Sequence, residues 1–555
     1  MGVEVDHGPA QRTPAGSQSG ARASWWQNDL VKEACGVFGV WAPGAQVSRI
    51  TFDGLFALQH RGQESAGMAV SDRDRVMVFK EMGLVASVFD ERSLSSLEGD
   101  LAIGHTRYST TGPSTWHNAQ PVFRSVGRAG FALGHNGNLT NTEELAGALG
   151  MLGAVTSDSE LVAELLARHF PADGSGAPDG APPAEAPAPD PAVPAESSLV
   201  DALLAVLPGI EGAFSLVLLD ADHLVAVRDP HGFRPLCLGR LEYEADGETR
   251  AGIVVASESS ALDVCGAELE REIEPGEMVV VDPGGVRSFW PFAGEASTEP
   301  ARPSLCVFEF VYFARPDTQL AGREVYPVRR RMGELLAGQR PVDADLVIGV
   351  PDSGVTAAEG YAAASGIPYG QGLVKNRYIG RTFIAPTQEA RALGVRRKLN
   401  PLRRSIAGRR VVVVDDSIVR GTTTRQIVRM LRDAGATEVH LRISSPPFRW
   451  PCYFGIDTPS RTELVAARMS VEEINAHIGA DSLEYLSLAN LRAAVGADGS
   501  GSGYCWACLT GDYPAPLPLA ASIAGGELLD GQPGDLGGNS DGAELSPFAL
   551  DPTLV

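Results

Sequence analysis

Residues 411–431 read VVVVDDSIVRGTTTRQIVRML, and this stretch decides the fold of the C-terminal half. Four consecutive valines are too apolar for a strand with one wet face, so Val411–Val414 read as a central strand of a parallel sheet covered on both sides. Asp415 and Asp416 end the run. Arg420, Gly421, Thr422, Thr423 and Thr424 follow, and a helix begins with Ile427, Val428 and Leu431 on one face. A glycine–threonine loop that opens a helix offers backbone N–H groups and hydroxyls to an anion. The Gly-Lys-Ser/Thr of a Walker A loop is absent. Two carboxylates would repel a bare phosphate, but they suit ribose hydroxyls and a hydrated Mg²⁺. One loop that takes both sugar and phosphate implies a phosphorylated ribose.

The neighbouring segments share this grammar. ADLVIGVPDSG (344–354) and TEVHLRISSPP (437–447) are apolar runs that end in polar loops, so residues from about 300 to 480 read as α/β with ligands at the strands' carboxyl ends. The string at 411–424 resembles the signature of type I phosphoribosyltransferases, which bind phosphoribosyl pyrophosphate (PRPP). The resemblance implies that Asp415 and Asp416 take the ribose diol and Mg²⁺, and that Arg420 to Thr424 take the 5′-phosphate. It assigns Asp352-Ser353-Gly354 to the pyrophosphate, with Ser353 near the metal. Residues 375–410 carry eleven Lys or Arg and one acid, Glu389, inside an acidic protein. For Arg403, Arg404, Arg409 and Arg410 a solvated basic face is a fair reading. KNRYIGRTF (375–383) reads instead as a lid whose Lys375 and Arg381 close on pyrophosphate, within a closing segment 375–386.

Upstream the pattern is different. CGVFGVW, SAGMAV, LAIGHTRY, FALGHNGNL, AFSLVLLD, LVAVRD and GIVVASE are short β-like runs, and DSELVAELLARHF has helical spacing at Leu161, Leu165 and Leu166. Many strands with few helices indicate a layered α+β domain. Residues 1–34 lack apolar periodicity and the marks of a secretory signal, and they stop where the strand at Cys35 begins. Cys35 is therefore expected to be the first residue of the working protein. A thiol there has its own α-amine as a base, which titrates near neutrality at roughly 7.7–8.0. Arg107 in HTRYST offers a carboxylate clamp. Asn136 and the Gly137 N–H in GHNGNL offer an oxyanion hole, and Asp158 offers a partner for an α-ammonium. A substrate with both groups is an amino acid, and attack on its side-chain amide is glutamine hydrolysis. Taken singly, Asp158 is also a plausible helix cap and Cys35 a plain buried thiol.

CGVFGV, LQHRGQESAGMAV, GHTRYST and GHNGNL together resemble the class II, N-terminal-nucleophile glutamine amidotransferases. That resemblance implies an αββα glutaminase fold with Cys35, Asn136 and Gly137 catalytic and Arg107 and Asp158 holding glutamine. Joined to a PRPP domain, the chain over about residues 30–510 resembles the glutamine-dependent PRPP amidotransferases. The implied reaction moves ammonia from glutamine through an enclosed path to C1 of Mg-bound PRPP. Its products are 5-phosphoribosylamine, glutamate and pyrophosphate, in the first committed step of purine synthesis. Purine nucleotides as feedback inhibitors and a homotetramer are further implications.

The seven cysteines are few and odd in number, which argues against a disulfide scaffold. Cys505 and Cys508 form a lone C-x-x-C, compatible with Zn, a redox pair or no chemical role. By resemblance to cluster-bearing family members, they join Cys306 and Cys452 as ligands of a [4Fe–4S] cluster, with tetrahedral Zn left open on sequence alone. Cys237 and Cys265 match no motif.

The formal charge of −23 is concentrated. Residues 171–200 hold five acids and residues 510–555 hold seven, with no base in either stretch, so acidity serves solubility and speaks against nucleic-acid binding. No apolar run is long enough to span a bilayer, and a soluble cytoplasmic protein is expected. The expected organisation is a leader at 1–34, a glutaminase domain at 35–290 interrupted by a Pro/Ala-rich disordered insertion at 171–198, a phosphoribosyltransferase domain at 291–485, a segment with the last cluster cysteines at 486–509, and an acidic disordered tail at 510–555. Two rivals stand beside this reading. A glucosamine-6-phosphate-forming amidotransferase would need a sugar-isomerase domain where 411–424 stands. A PRPP-sensing regulator with an inactive glutaminase half is opposed by the intact set Cys35, Arg107, Asn136 and Asp158.

Overall fold

The computed structural model describes residues 35–108, 114–126, 129–170, 198–293, 301–376, 398–458, 460–497 and 503–518. Among these, the N-terminal half is built on two antiparallel sheets. The seven-stranded sheet runs in the order Ala267–Glu272, Cys237–Ala245, Glu248–Ala256, Gly36–Trp41, Leu101–Arg107, Ser65–Ser71, Val76–Met82. The six-stranded sheet runs Gly285–Phe289, Met278–Asp282, Leu224–Arg228, Gly212–Leu219, Phe131–Leu139, Val122–Arg124.

Strand alternation explains how they stack. Val37, Leu101 and Ile103 point to one side and meet Ala132, Val217 and Val279 of the other sheet. Phe38, Val40 and Ala102 point the other way and meet Val47, Leu55 and Leu262 of the helices outside. On the far face, the helices Asp158–Ala167 and Ser198–Val206 cover Phe131, Leu133 and Phe214. The result is the expected αββα stack. The strands at Cys237–Ala245, Ala267–Glu272 and Gly285–Phe289 went unread in the sequence because exposed charged residues break their apolar alternation.

The second half has a four-stranded parallel sheet in the order Leu346–Gly349, Arg410–Asp415, Glu438–Ile443, Ser482–Tyr485. Val411 to Val414 are fully buried in a strand paired on both edges. Val412 and Val414 pack under the helices Val325–Gln339 and Val355–Ser365, while Val411 and Val413 pack under Thr422–Asp433 and Val471–Ile478. The first helix pair crosses very closely. A Cβ on Gly333 would fall 1.8 Å from the Ala357 carbonyl oxygen, and one on Gly360 would fall 1.9 Å from that of Arg330. Only glycine admits that approach.

The chain ends of the second half return to the first. Ser304–Cys306 pairs in parallel with Gly503–Cys505, placing Cys306 opposite Cys505. Packing continues past residue 510, where a disordered tail was expected to begin. The Tyr513 hydroxyl donates to the Pro451 carbonyl at 2.7 Å, and Ala515 is buried against a cluster that includes Phe233 and Phe454. Two aromatic contacts, Tyr513 with Tyr453 and with Phe454, hold this segment, so the disorder expected from residue 510 does not extend over the described residues up to Pro518. Residues 1–34, nearly all of the insertion at 171–198, and 519–555 lie outside the described residues. No helix among the described residues is long and apolar enough to cross a membrane.

Two candidate active sites and a cysteine junction

The strand Gly36–Trp41 begins one residue after Cys35, so the nucleophile candidate sits at the open end of the central sheet. Its Sγ lies 3.2 Å from the Tyr108 carbonyl oxygen, and the Tyr108 N–H points back at Sγ from 3.4 Å. A small cleft opens there, walled by Arg107, Tyr108, Gln120, His135, Gly137 and Asp158 among others. Burial pushes the Cys35 thiol up to about 11, opposed by the Tyr108 hydrogen bond and the Arg107 charge. At neutral pH fewer than about one thiol in a thousand would be ionised, so attack needs a base at hand.

Both polar atoms of the buried Asn136 side chain lack a hydrogen-bond partner. A buried amide left so is costly, by about 1–3 kcal/mol, and is the state expected of a donor held ready for a developing charge. Gly137 is forced by contact, since a Cβ would fall 2.0 Å from the Ala213 carbonyl oxygen. Asp158 opens its helix and accepts from the N–H of Leu139 at 3.3 Å and of Ser159 at 2.8 Å. Burial raises its carboxyl, but His135 and these N–H groups outweigh burial and hold it below the usual carboxylate range. It is therefore an anion that can receive an ammonium. Cys35, Arg107, Gly137 and Asp158 thus line one cleft, beside the orphaned Asn136 amide.

Sequence reading missed the supports of this cleft. The Gln120 side chain accepts from the His135 N–H at 2.7 Å and donates to the Ser159 hydroxyl at 3.0 Å, fixing two walls to each other. A lone glutamine before a proline gives no signal for that role.

The second cleft lies at the carboxyl end of the strand Arg410–Asp415. Asp415 and Asp416 are buried side by side, and Asp416 Oδ1 has no partner. Burial raises the Asp415 carboxyl well above its usual range, and neighbouring Asp416 raises it further. Burial also raises Asp416, against hydrogen bonds from Ser353 and Ser417. Two crowded carboxyls, one with an orphaned oxygen and a serine beside it, form a donor set that fits a hard divalent cation. Gly421 adopts φ +81° and begins the helix Thr422–Asp433, whose Thr424 is buried. Arg420 pairs with Glu463, and Lys375 pairs with Asp352 at 2.6 Å. Arg381 and most of the lid segment 375–386 lie outside the described residues. Arg410 pairs with Asp343 and Asp345, as a residue of a solvated basic face would.

The cysteine junction lies between the halves. Burial raises the thiols of Cys306, Cys452, Cys505 and Cys508, and each of the last two is raised further by other members of the set. Backbone hydrogen bonds oppose that rise at each sulfur, from Phe308 at Cys306, Ile456 and Phe454 at Cys452, Ala507 at Cys505 and its own N–H at Cys508. The Arg234 guanidinium faces Cys306 and Cys452. Cations and N–H donors are what thiolate ligands need around them. No group of three or more His, Cys, Asp or Glu among the described residues is arranged to hold a single metal ion.

A cysteine cleft on an αββα stack, joined to an aspartate-pair cleft on a parallel sheet, defines a glutamine amidotransferase coupled to a phosphoribosyltransferase. Residues 330–445 match the phosphoribosyl transferase domain family. The chain is 49% identical to an amidophosphoribosyltransferase of Mycobacterium leprae, covering 94% of this chain and 89% of that one. It is 48% identical to that of Synechococcus elongatus, covering 88% and 93%. Its fold matches the solved glutamine PRPP amidotransferase of Bacillus subtilis complexed with ADP and GMP, with a TM-score of 0.74, 43% identity and coverage of 87% of this chain and 98% of that one. The chain belongs to the amidophosphoribosyltransferase family. It transfers the amide nitrogen of glutamine to PRPP in purine biosynthesis.

Proposed function

We propose that Cys35, freed at its α-amine by removal of residues 1–34, is the nucleophile of the glutaminase step. The buried thiol is too basic to ionise alone, and the α-amine would take its proton as it attacks the side-chain amide of glutamine. The Asn136 side chain and Gly137 N–H would receive the oxyanion. Arg107 would clamp the α-carboxylate and Asp158 the α-ammonium. The observation that carries this reading is the orphaned Asn136 amide beside a cleft lined by Cys35, Arg107 and Asp158.

In the second cleft, Asp415 and Asp416 would hold the ribose hydroxyls and, with Ser353, Mg²⁺. The residues from Arg420 to Thr424 would take the 5′-phosphate, and Asp352, Ser353, Lys375 and Arg381 the pyrophosphate. Mg²⁺, when bound, offsets the pyrophosphate charge as it leaves C1. Ammonia passes between the clefts along an enclosed route, because in water it would protonate and lose its nucleophilicity. PRPP loading raises the glutaminase rate. Cys306, Cys452, Cys505 and Cys508 hold a [4Fe–4S] cluster that ties the C-terminal segment to the junction of the two halves. The register that sets Cys306 opposite Cys505 and the Arg234 charge near Cys306 and Cys452 support this. The remaining proposals are a cytoplasmic homotetramer inhibited by purine nucleotides and the domain limits given above, apart from the packed residues 510–518.

The test is the intact mass and first residue of anaerobically purified protein. A chain that begins at Cys35 and carries four irons supports the reading. A chain that begins near Met1 leaves Cys35 acylated by Ala34 and removes the base.

A further inference from the structure

We propose that the buried turn Glu309–Phe313 is the strut through which the PRPP cleft acts on the glutaminase cleft, with Arg329 and Glu309 as its positioning residues. The proposal rests on the reading above that PRPP loading raises the glutaminase rate.

The turn directly follows the strand Ser304–Cys306. It is wound widely, with the Ala314 N–H donating to the Glu309 carbonyl at 3.1 Å, and such i→i+5 turns recur at functional sites. One guanidinium holds both ends. Arg329, buried on the helix Val325–Gln339, donates from Nε to the Phe310 carbonyl at 2.6 Å and from Nη2 to that of Ala314 at 2.8 Å. The helix that carries Arg329 packs under Val412 and Val414, in the strand that ends at Asp415, and crosses closely the helix Val355–Ser365 that follows Asp352-Ser353-Gly354.

The turn's own side chain reaches the other way. Glu309 is fully buried and accepts from Arg61 Nη2 at 2.6 Å and from Arg234 Nη1 at 3.3 Å, both arginines belonging to the glutaminase half. Arg61 also pairs with Glu258. Next to Arg61, Gly62 lies hard against the peptide that leads into Arg107. A Cβ there would fall 2.4 Å from the Thr106 carbonyl carbon and 2.6 Å from the Arg107 nitrogen. Gly36, beside Cys35, is similarly close to Thr106 Oγ1, at 2.7 Å from where its Cβ would be. The packing therefore runs from the strand that ends at Asp415 through the helix of Arg329, the turn, Glu309 and Arg61 to the strand end that carries Arg107.

Buried charges in a low-dielectric interior interact strongly and cannot be rescued by water when one of them moves. PRPP seated against Asp352-Ser353-Gly354 and the end of the strand Arg410–Asp415 would press on the helix pair that carries Arg329. Arg329 grips the turn by two carbonyls, so a shift in Arg329 moves the turn as a unit. Glu309 passes that shift to Arg61 and the cleft wall.

The test compares the holoenzyme with its Glu309→Gln and Arg329→Lys variants in three assays: glutaminase without PRPP, glutaminase with saturating Mg²⁺ and PRPP, and transfer driven by ammonium salt. The strut predicts basal glutaminase and ammonia-driven transfer within about two-fold of the parent, and stimulation by PRPP cut at least about five-fold. Full stimulation in both variants overturns the proposal. So does a matching fall in all three assays, which marks a merely structural role. A parent enzyme with no stimulation sinks the underlying reading instead, and the strut with it. If neither variant folds, hydrogen exchange of the parent decides. Slower exchange of the Phe310–Ala314 amides on adding Mg²⁺ and PRPP supports the strut, and unchanged exchange overturns it.

Discussion

The Cys35 cleft and the Asp415–Asp416 cleft are both buried and both incomplete, but they lack opposite things. In the first the unmet group is neutral, the Asn136 amide, beside a thiol that burial keeps protonated. In the second it is acidic, with Asp416 Oδ1 unpartnered and Asp415 raised by burial and by its neighbour. A neutral amide can wait without a partner at modest cost. Two crowded carboxyls cannot both ionise without a cation. The first cleft therefore needs no counter-charge, only a base for its thiol and a substrate, while the carboxyl pair of the second suits a cation.

The largest effect should separate the clefts outright. Cys35→Ala should lower glutamine-dependent formation of phosphoribosylamine by about 10⁴-fold or more, while ammonia-driven transfer stays within about two-fold. Initial rates with each nitrogen source check this, and equal losses would mean that the clefts do not divide the work. Asn136→Ala should lower the glutaminase kcat by about 10²–10³-fold with little change in KM, because its amide acts on the developing oxyanion. A rise in KM alone would make Asn136 a substrate clamp.

The second cleft should answer to metal. Mg²⁺ with PRPP should raise the thermal midpoint of the parent by several degrees and that of Asp416→Asn by much less. Asp416→Asn should also lose both glutamine-driven and ammonia-driven transfer. An Asp416→Asn variant that keeps the parent's Mg²⁺ response would move the metal elsewhere.

How much of this was legible depends on the reach of each contact. Val411–Val414 announced a central strand because four valines in a row fit nothing else on a soluble surface. Cys35, Arg107, Asn136 and Asp158 were legible through short motifs that each carry their own chemistry. Glu309, Arg61 and Arg234 were not, since a charged residue in sequence reads as exposed and only pairing across the fold buries it. Gln120 was silent for the same reason, as were Gly333 and Gly360, whose need is set by another helix. The Cys306–Cys505 pairing spans most of the second half, and no local pattern could reveal its parallel register. Gly360→Ala tests such a silent contact. Its Cβ would meet the Arg330 carbonyl, so it should cost about 1–3 kcal/mol by overpacking, read by urea unfolding. A neutral result would mean that the two helices slide apart freely.

Asp229 offers the finest test, because it separates burial from crowding. Like Asp415 it is raised by burial, to about 6, but it has Arg228 and His231 beside it rather than a second carboxyl. Its oxygens accept from the N–H groups of His231 at 2.9 Å, Phe233 at 3.1 Å and Phe214 at 3.2 Å, fixing the loop that carries Phe233 and Arg234 to the cysteine junction. Its folded value lies above the unfolded 3.8, so folding favours the protonated form. That contribution is fully present below about pH 4 and is lost as pH rises through 6. Asp229→Asn cannot ionise and should lack this loss. Between pH 4.5 and 7.5 the parent should therefore lose about 1–3 kcal/mol more stability than the variant, whatever the variant's overall cost. Parallel stability curves would show that the backbone donors fully compensate burial at Asp229. Crowding by a second carboxyl, rather than burial, would then be what sets the PRPP cleft apart.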